Sequence, residues 1–193
     1  DGRLAAIKMI LPNVAASGRD VEKFLREARV LCELDHPNIV AFREMGDVDG
    51  QLFFAMDYVP GLDAARLVNK EGRPLAIGRA CALVGQMLQA LDYAHAKGFV
   101  HRDIKPSNLL VSGFGGGETA KLADFGLART YQTSRISGLT VTGKFGGTVE
   151  YMAPEQLTNF RDAKPPVDIY AAGATLYSLL TGRMAFRIPF RGV

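Results

Sequence analysis

The first sixty residues alternate short apolar runs with turn-forming residues, a pattern that favours β-strands. Apolar runs lie at residues 4–10, 39–44 and 52–59, and the last two flank a turn rich in aspartate and glycine at 47–50. Strands separated by such turns usually form antiparallel hairpins. Between the first two runs, residues 20–34 carry apolar positions three and four apart, which predicts an amphipathic helix. The pattern therefore predicts a small, mostly antiparallel sheet with one helix.

A proline–glycine pair at 60–61 marks the change from strand-like to helical patterning, and we place a boundary between two lobes there. Apolar positions at helical spacing predict a long helix over 77–97. A second helix, predicted over 167–180, is apolar on nearly every face and is therefore expected to be buried on all sides. The predicted fold class is α+β, with a sheet lobe at 1–59 and a mainly helical lobe at 60–193.

Two polar segments interrupt the helical part. Short strands are predicted at 109–111 and 121–123, with a glycine-rich run at 112–117 between them. A glycine run can cradle phosphate when a helix follows and supplies amide groups, but a strand follows here, so a flexible reversal is favoured. Residues 127–148 are rich in Ser, Thr, Gly, Lys and Arg without periodicity, which predicts a long loop. Loops of this length in a compact domain are usually functional lids or switches.

The composition is that of an ordinary globular domain, with 193 residues, 48% of them hydrophobic and 22% charged. The net charge of +3 is spread along the chain, which argues against a nucleic-acid interface. The three histidines are scattered and do not suggest a metal cluster. Residues 165–182 are nearly uncharged but shorter than the roughly 20 apolar residues that span a bilayer, so no membrane contact is expected within this segment.

Cys32 and Cys81 each lie in an apolar helical pattern, and no export signal is recognisable at the start of the chain. Two such cysteines are best interpreted as reduced core residues. The expected localisation is therefore cytoplasmic, although the whole protein could be anchored to a membrane outside this segment.

Residues 101–108 read His-Arg-Asp-Ile-Lys-Pro-Ser-Asn, and residues 124–126 read Asp-Phe-Gly. Phosphoryl transfer from a nucleotide needs an acidic group that aligns the attacking hydroxyl, and it needs oxygen ligands that hold magnesium. It also needs a cation at the transferred phosphate. The two segments contain all of these groups, in Asp103, Lys105, Asn108 and Asp124.

This set of motifs resembles that of protein kinases. Further matches are the stretch 147–155, which reads Gly-Thr-Val-Glu-Tyr-Met-Ala-Pro-Glu, and Asp168 near the start of the second predicted helix. Lys105 together with Thr148 is similar to the serine/threonine branch, and Gln156 after the stretch is similar to the bacterial, eukaryotic-like kinases. The resemblance implies a bilobal protein kinase-like fold, with a small antiparallel β lobe and a mainly helical large lobe.

The resemblance also implies the reaction, which is transfer of the γ-phosphoryl group of ATP to Ser or Thr hydroxyls of protein substrates. Mg²⁺ would be the metal cofactor, with Mn²⁺ as an alternative. The long loop would regulate the enzyme, with Thr140 and Thr142 as candidates for autophosphorylation and a homodimer as one way to carry it out. Arg102 would then bind the phosphorylated loop, because a guanidinium beside the catalytic acid attracts an anion.

The resemblance also implies catalytic roles for the motif residues of this chain. Asp103 would orient the substrate hydroxyl and accept its proton late in the transfer. Lys105 would lie near the transferred phosphate, with Thr148 beside it. Asn108 and Asp124 would hold the magnesium ions through their oxygen atoms.

The family's nucleotide-binding roles fall mainly on the first sixty residues. Lys8 would contact the α- and β-phosphates, and an ion pair with Glu27 would fix its ammonium group. In the adenine pocket, Ala6 and Leu110 would sandwich the ring, and Met56 would lie behind it. The linker residues Asp57 and Val59 would bond to the ring through their backbone groups.

His101 and Phe125 also invite functional interpretations. In the family that the chain resembles they are packing residues, which stack with Leu31 and Phe42 in a column across the two lobes. The helix that contains Asp168 would be buried and would anchor the catalytic loop.

Kinase domains are longer than this chain at both ends, although the resemblance covers nearly all of it. The glycine-rich loop over the phosphates would precede Asp1, so both lobes are expected to be partial. The arginine that pairs with Glu155 would follow the last residue, and a buried carboxylate without its partner is expected. We expect such a segment by itself to bind nucleotide poorly and to be marginally stable.

Two other functions compete with the protein kinase interpretation. Small-molecule phosphotransferases such as aminoglycoside kinases share the Asp-to-Asn spacing of the catalytic loop, but they lack the segment from Asp-Phe-Gly to Ala-Pro-Glu. A pseudokinase or truncated binding scaffold is the second alternative. Only the missing glycine-rich loop supports it, because every catalytic side chain of the covered region is present.

Overall fold

The structure is a computed structural model that describes residues 4–10, 30–48, 51–113, 117–125, 149–159 and 163–186. Only the end of the helix predicted over 20–34 belongs to these residues, and it is a 3₁₀ turn over Val30–Glu33. The loop predicted over 127–148 lies outside them.

The first sheet consists of three antiparallel strands in the order β1-β3-β2. They are β1 (Ala5–Ile10), β2 (Phe42–Val48) and β3 (Gln51–Asp57). The three predicted strands are confirmed, but the predicted start of the second at residue 39 is wrong. Ile39 instead forms a parallel bridge with Leu122, more than eighty residues away along the chain. The turn between β2 and β3 is also shorter than predicted, because β2 continues to Val48.

The segment before β2 is fastened to the distant strand by its backbone. Leu122 donates its N–H to the carbonyl oxygen of Asn38 at 2.8 Å and accepts a hydrogen bond from the N–H of Val40 at 2.9 Å. The Lys121 ammonium also donates to the carbonyl oxygen of Pro37 at 2.7 Å. The Val40 N–H, which belongs to the predicted strand, is thereby bonded to Leu122 and not to a hairpin partner, which explains the late start of β2.

His36 lies beside this segment and is partly buried. Its Nδ1 accepts a hydrogen bond from the Asn38 N–H at 3.1 Å, and its ring centroid lies 5.1 Å from that of Tyr93. Burial, and then the positive charge of Lys121, lower the pKa of His36, while Asp35 opposes them in part. The neutral imidazole is therefore the form that fits the fold.

The register of β1 against β3 decides which side chains face the interior. Ala6 lies opposite Met56, and Lys8 lies opposite Phe54. Directly opposed residues of an antiparallel pair point to the same face, so these four share one face of the sheet. Ile7, one residue out of phase, is 57% exposed. The first sheet therefore presents Lys8 on the same face as buried Met56.

The later part of the chain contains a smaller sheet and four helices among the described residues. The sheet has the order β4-β5-β6, and its strands are Leu62–Asp63, Leu109–Ser112 and Thr119–Leu122. The helices are α1 (Ala64–Glu71), α2 (Ile77–Ala96), α3 (Pro154–Thr158) and α4 (Pro166–Thr181). Two further 3₁₀ turns run over Pro106–Asn108 and Val149–Tyr151.

Helix α2 confirms the helix predicted over 77–97 and is the centre of the helical part. It packs against α4 and β6. Its buried residues recur three and four apart, which is the spacing of one helix face. They are Ala80, Leu83, Val84, Met87, Ala90, Leu91 and Ala94.

Gly61 lies at the predicted lobe boundary, where the chain passes close to β5. Its φ angle is 154°, and a Cβ atom at this position would lie 2.0 Å from the carbonyl oxygen of Val111. Only glycine fits such an approach without movement of the backbone. The linker between the two sheets therefore depends on this glycine.

Two predictions of burial around α4 are wrong. Helix α4 was expected to be buried on all sides, yet Ile169 is 51% exposed and Tyr177 is 45% exposed. Glu155, expected to be a buried carboxylate, is exposed on α3. A side chain is buried only where another element covers it, and none of the described elements covers Ile169, Tyr177 or Glu155.

The prediction that Cys32 and Cys81 are core residues is also wrong, because both side chains are exposed. Cys32 lies in a 3₁₀ turn, where the spacing of an α-helix does not apply, and Cys81 lies beside the buried stripe of α2. Among the described residues, no helix combines the length and the apolar character that a bilayer crossing requires.

Candidate active site

The loop from His101 to Lys105 is held by a buried carboxylate. Asp168, in the first turn of α4, is 1% exposed. Its Oδ2 accepts the backbone N–H of His101 and its Oδ1 that of Arg102, both at 2.8 Å. The Nε2 of His95 on α2 also lies 2.8 Å from Oδ2. Buried carboxylates are stable only when donors surround them, so this arrangement fixes the loop to two helices. The prediction that the helix containing Asp168 anchors this loop is confirmed.

The backbone of Arg102 is unusual in this loop. Its φ angle is 66°, in the left-handed region that non-glycine residues rarely adopt. The side-chain amide of Gln156 on α3 donates to the Arg102 carbonyl oxygen at 2.6 Å. The guanidinium Nη2 donates to the carbonyl oxygen of Ala163 at 3.2 Å. Neighbouring elements therefore bond to Arg102 through its N–H, its carbonyl and its side chain.

Asp103 lies at the centre of a cluster of polar side chains. The Lys105 ammonium contacts both of its carboxylate oxygens, at 3.0 and 2.8 Å. The amide nitrogen of Asn108 donates to the Asp103 carboxylate at 3.0 Å and to its carbonyl oxygen at 2.7 Å. Asp103 and Lys105 remain partly accessible, with side chains 22% and 21% exposed. A carboxylate that is fixed by its neighbours yet open to solvent can meet a substrate.

Asp124 lies next to this cluster because the backbone connects them. The N–H of Ala123 donates to the carbonyl oxygen of Asn108 at 2.9 Å, just where β6 ends. Asp124 has a φ angle of 62°. Its carboxylate pairs with the Lys8 ammonium of β1 at 2.7 Å. The first sheet and the catalytic loop therefore meet at Asp124.

Two ring side chains near these carboxylates are packing residues, as predicted. His101 and Phe125 are 0% and 1% exposed, and their ring centroids lie 4.6 Å apart in an edge-to-face arrangement. The His101 ring also lies 2.9 Å from the carbonyl oxygen of Ala123 through Nε2. Leu31 and Phe42 are buried in the same hydrophobic core. This packing holds the two motifs side by side.

The donor set at Asn108 and Asp124 suits a magnesium ion. It consists of an amide oxygen and a carboxylate, and hard divalent cations prefer such oxygen ligands. The bond between Ala123 and Asn108 keeps the two residues in adjacent positions. The residues present therefore fit the metal that phosphoryl transfer requires.

The predicted adenine-pocket residues occupy both sheets. Ala6 and Met56 lie opposite each other on β1 and β3, and Met56 is 7% exposed. The N–H of Asp57 donates to the Ala41 carbonyl oxygen at 3.0 Å, and Val59 packs against the core just beyond β3. Leu110, on β5, is partly buried against the same core.

Four predicted site residues lie outside the described residues. They are Glu27, Thr140, Thr142 and Thr148. Within the described residues, the Lys8 ammonium pairs with the Asp124 carboxylate at 2.7 Å. The pair between Lys8 and Glu27 therefore stays a prediction.

Two functional positions were missed by sequence reasoning. The sequence shows His95 only as one of three scattered histidines, and Gln156 only as a residue similar to the bacterial branch. Gln156 is 2% exposed, and His95 borders the buried stripe of α2. A polar residue next to a buried stripe is only a weak signal of a functional position, because the sequence does not show which distant residue is its hydrogen-bond partner.

The fold and this arrangement define the class of protein. A small antiparallel sheet precedes a helical part, and between them lie an anchored loop with Asp103 and a strand end with Asp124. The family model described as the protein kinase domain matches residues 1–189. The chain belongs to the protein kinase family, and it has the bilobal kinase fold.

The chain is similar to bacterial serine/threonine kinases. It is 38% identical over 190 residues to a protein named probable serine/threonine-protein kinase PknB of Lactococcus lactis, covering 98% of this chain and 28% of that protein. It is 42% identical over 186 residues to serine/threonine-protein kinase PkaA of Streptomyces coelicolor, covering 96% of this chain and 33% of that protein. The chain thus spans about a third or less of these relatives.

Solved kinase structures share the fold. The kinase domain of PknI from Mycobacterium tuberculosis matches with a TM-score of 0.72 and 32% identity, covering 97% of this chain and 68% of that one. Rad53 in complex with AMP-PNP matches with a TM-score of 0.75 and 29% identity, covering 98% of this chain and 44% of that one.

Proposed function

We propose that the protein transfers the γ-phosphoryl group of ATP to Ser or Thr hydroxyls of proteins. The observation that carries the proposal is the contact of Asp103 with Lys105 and Asn108 in a loop adjacent to Asp124. Family membership and the names of the relatives support protein hydroxyls as acceptors and disfavour a small-molecule phosphotransferase.

Asp103 is the residue that orients the acceptor hydroxyl. Its carboxylate accepts a hydrogen bond from that hydroxyl and takes its proton as the new bond to phosphorus forms. Lys105, whose ammonium lies 2.8 Å from Asp103 Oδ2, places a positive charge beside the transferred group. Thr148 is assigned to the same region through its place in the family motif.

Asn108 and Asp124 would hold Mg²⁺, or Mn²⁺ as an alternative. When bound, the ion neutralises charge on the phosphates of ATP. Lys8 would bind the α- and β-phosphates, with Glu27 as its second partner, so its ion pair with Asp124 has to open when nucleotide enters. The adenine ring would lie between the two sheets, against Ala6, Met56, Asp57, Val59 and Leu110.

Regulation through the long loop is the finer part of the proposal. Phosphorylation of Thr140 and Thr142, by a second copy of the protein in a transient homodimer, would order the loop near Arg102. A double alanine variant is expected to lose most of its activity and its incorporation of phosphate. Full activity in that variant would contradict this regulation. Since ATP and reduced thiols are found in the cytoplasm, the reaction is assigned to that compartment.

Phosphate transfer to a protein acceptor tests the function. The whole protein is incubated with radiolabelled ATP, Mg²⁺ and casein, and the Asp103→Asn variant serves as the matched control because it keeps the shape of the side chain. We expect the variant to be at least about a hundredfold slower. Equal transfer by both would refute the role of Asp103. Nucleotide binding without transfer by the wild-type protein would favour the scaffold alternative.

A further inference from the structure

Arg102, the residue that precedes Asp103, is held at both of its backbone polar groups. On one side, Asp168 accepts the N–H of Arg102 at 2.8 Å. On the other side, the Gln156 amide donates to the Arg102 carbonyl oxygen at 2.6 Å. Gln156 is 2% exposed, so this bond is shielded from water. Bonds at both ends of one residue fix its backbone angles.

Fixing is needed because the conformation is costly. A φ angle of 66° is sterically unfavourable for a non-glycine residue, and it persists only where the surroundings impose it. The Arg102 carbonyl belongs to the peptide bond that leads into Asp103. A rotation of this peptide would redirect the Asp103 carboxylate, which has to stay aligned with the acceptor hydroxyl.

Gln156 is itself firmly placed. It lies in α3, directly after the stretch 147–155 that would receive the substrate, and its own N–H donates to the carbonyl oxygen of Ala153 at 2.9 Å. Pro154 begins the helix, where its fixed φ angle favours the first turn. A side chain on this helix can therefore transmit the position of the substrate segment to the catalytic loop.

We infer that Gln156 is a positioning residue for Asp103, which holds the Arg102–Asp103 peptide in its productive orientation and couples it to the substrate segment. This inference rests on the proposed kinase activity. Gln156 does not touch the reacting groups. Its loss should slow the transfer step and leave nucleotide affinity unchanged.

The test compares Gln156→Met, which keeps the length of the side chain and removes its N–H donor, with wild type. We expect kcat to fall about tenfold, while KM for ATP stays within about twofold. Gln89→Met, at an exposed position of α2, is the matched control and should behave as wild type. Amide hydrogen exchange in residues 101–104 should become faster in the Gln156 variant, with exchange in α2 unchanged.

A second variant keeps the test decisive if Gln156→Met does not fold. In Gln156→Glu, a carboxylate would face the Arg102 carbonyl oxygen, whereas a protonated carboxyl group can donate to it. Burial favours the protonated form, so the ratio of variant to wild-type kcat should rise as the pH is lowered from about 8 to about 6. A purely structural role predicts a ratio that does not change with pH.

The inference is overturned if Gln156→Met folds and retains wild-type kcat, or if the Gln156→Glu ratio is flat with pH. Failure of the kinase proposal is recognised separately, because the wild-type protein would then transfer no phosphate. In that case hydrogen exchange decides the positioning role. Faster exchange in residues 101–104 of Gln156→Met supports it, and unchanged exchange overturns it.

Discussion

Replacement of Asp168 is expected to remove a large part of the stability of the protein. Its carboxylate is 1% exposed and has three donors at 2.8 Å, two from backbone N–H groups and one from His95. Hydrogen bonds to charged groups contribute about 1.5–3 kcal/mol each, and breaking a buried charged network costs about 3–5 kcal/mol. We expect Asp168→Ala to lower the free energy of unfolding by about 4 kcal/mol, against a total of roughly 5–15 kcal/mol for natural proteins.

Asp168→Asn separates the hydrogen bonds from the volume of the side chain. The asparagine has the same shape, but its NH₂ group faces at least one donor, so about half of the loss, roughly 2 kcal/mol, is expected. Since His101 and Arg102 precede Asp103, we expect both variants to lose activity even at temperatures where they remain folded.

Urea unfolding followed by far-ultraviolet circular dichroism measures these losses. With a slope of about 2 kcal/mol per molar urea, Asp168→Ala should move the midpoint down by about 2 M. Asp92→Ala, at an exposed position of α2, is the control and should change stability by no more than about 0.5 kcal/mol. A shift below about 0.5 M for Asp168→Ala would refute the reasoning, because the buried carboxylate would then not hold the loop.

Three further predictions concern other parts of the fold and site. Gly61→Ala should destabilise the protein by about 3 kcal/mol in urea unfolding, whereas Gly72→Ala, a left-handed helix cap with open space around it, should cost only about 1 kcal/mol. The pKa of His36 in the folded protein is lowered from 6.5 by burial and by Lys121. The neutral imidazole therefore contributes fully to stability above pH 6.5, and this contribution is lost as the pH falls from 6.5 through the pKa of the folded state. Lys8→Met should slow phosphate transfer by about a hundredfold and, because its ion pair is partly exposed, should change stability by less than about 1 kcal/mol.

Each of these has a contrary outcome. Equal losses for the two glycine variants would show that the close approach at Gly61 is relaxed at little cost. If His36→Asn shows the same acid-side fall in urea midpoint as wild type, the imidazole is not the group that titrates. Wild-type transfer by Lys8→Met, measured against Lys70→Met at an exposed position of α1, would remove Lys8 from the site.

The proximity of the polar site residues could be predicted because they lie in short stretches with fixed spacing. Asp103, Lys105 and Asn108 fall within six residues of one another, and a loop of that length has few ways to separate them. The strands and α2 were predictable for a similar reason, since alternation and helical spacing are local properties.

The parts that could not be predicted depend on contacts between distant residues. Nothing in the local pattern around Ile39 indicates that its segment pairs with Leu122, and nothing near Gln156 indicates that its amide meets Arg102. The exposure of Ile169 has the same origin, because the burial of an apolar face depends on which elements cover it. The ion pair between Lys8 and Asp124 joins residues more than a hundred positions apart, so no local sequence pattern predicts it.

The bonds of Leu122 to Asn38 and Val40 determine how the two sheets can move. They tie the first sheet to β6 on one side of the molecule, so a rotation that separated the sheets there would break two backbone hydrogen bonds. An opening motion that kept these two bonds would turn about a line near Leu122. Asp124, two residues from Leu122, would move less in such a motion than Ala6, which lies on the strand of the first sheet farthest from β2. The space beside Ala6 would therefore change more than the position of the Asp124 carboxylate.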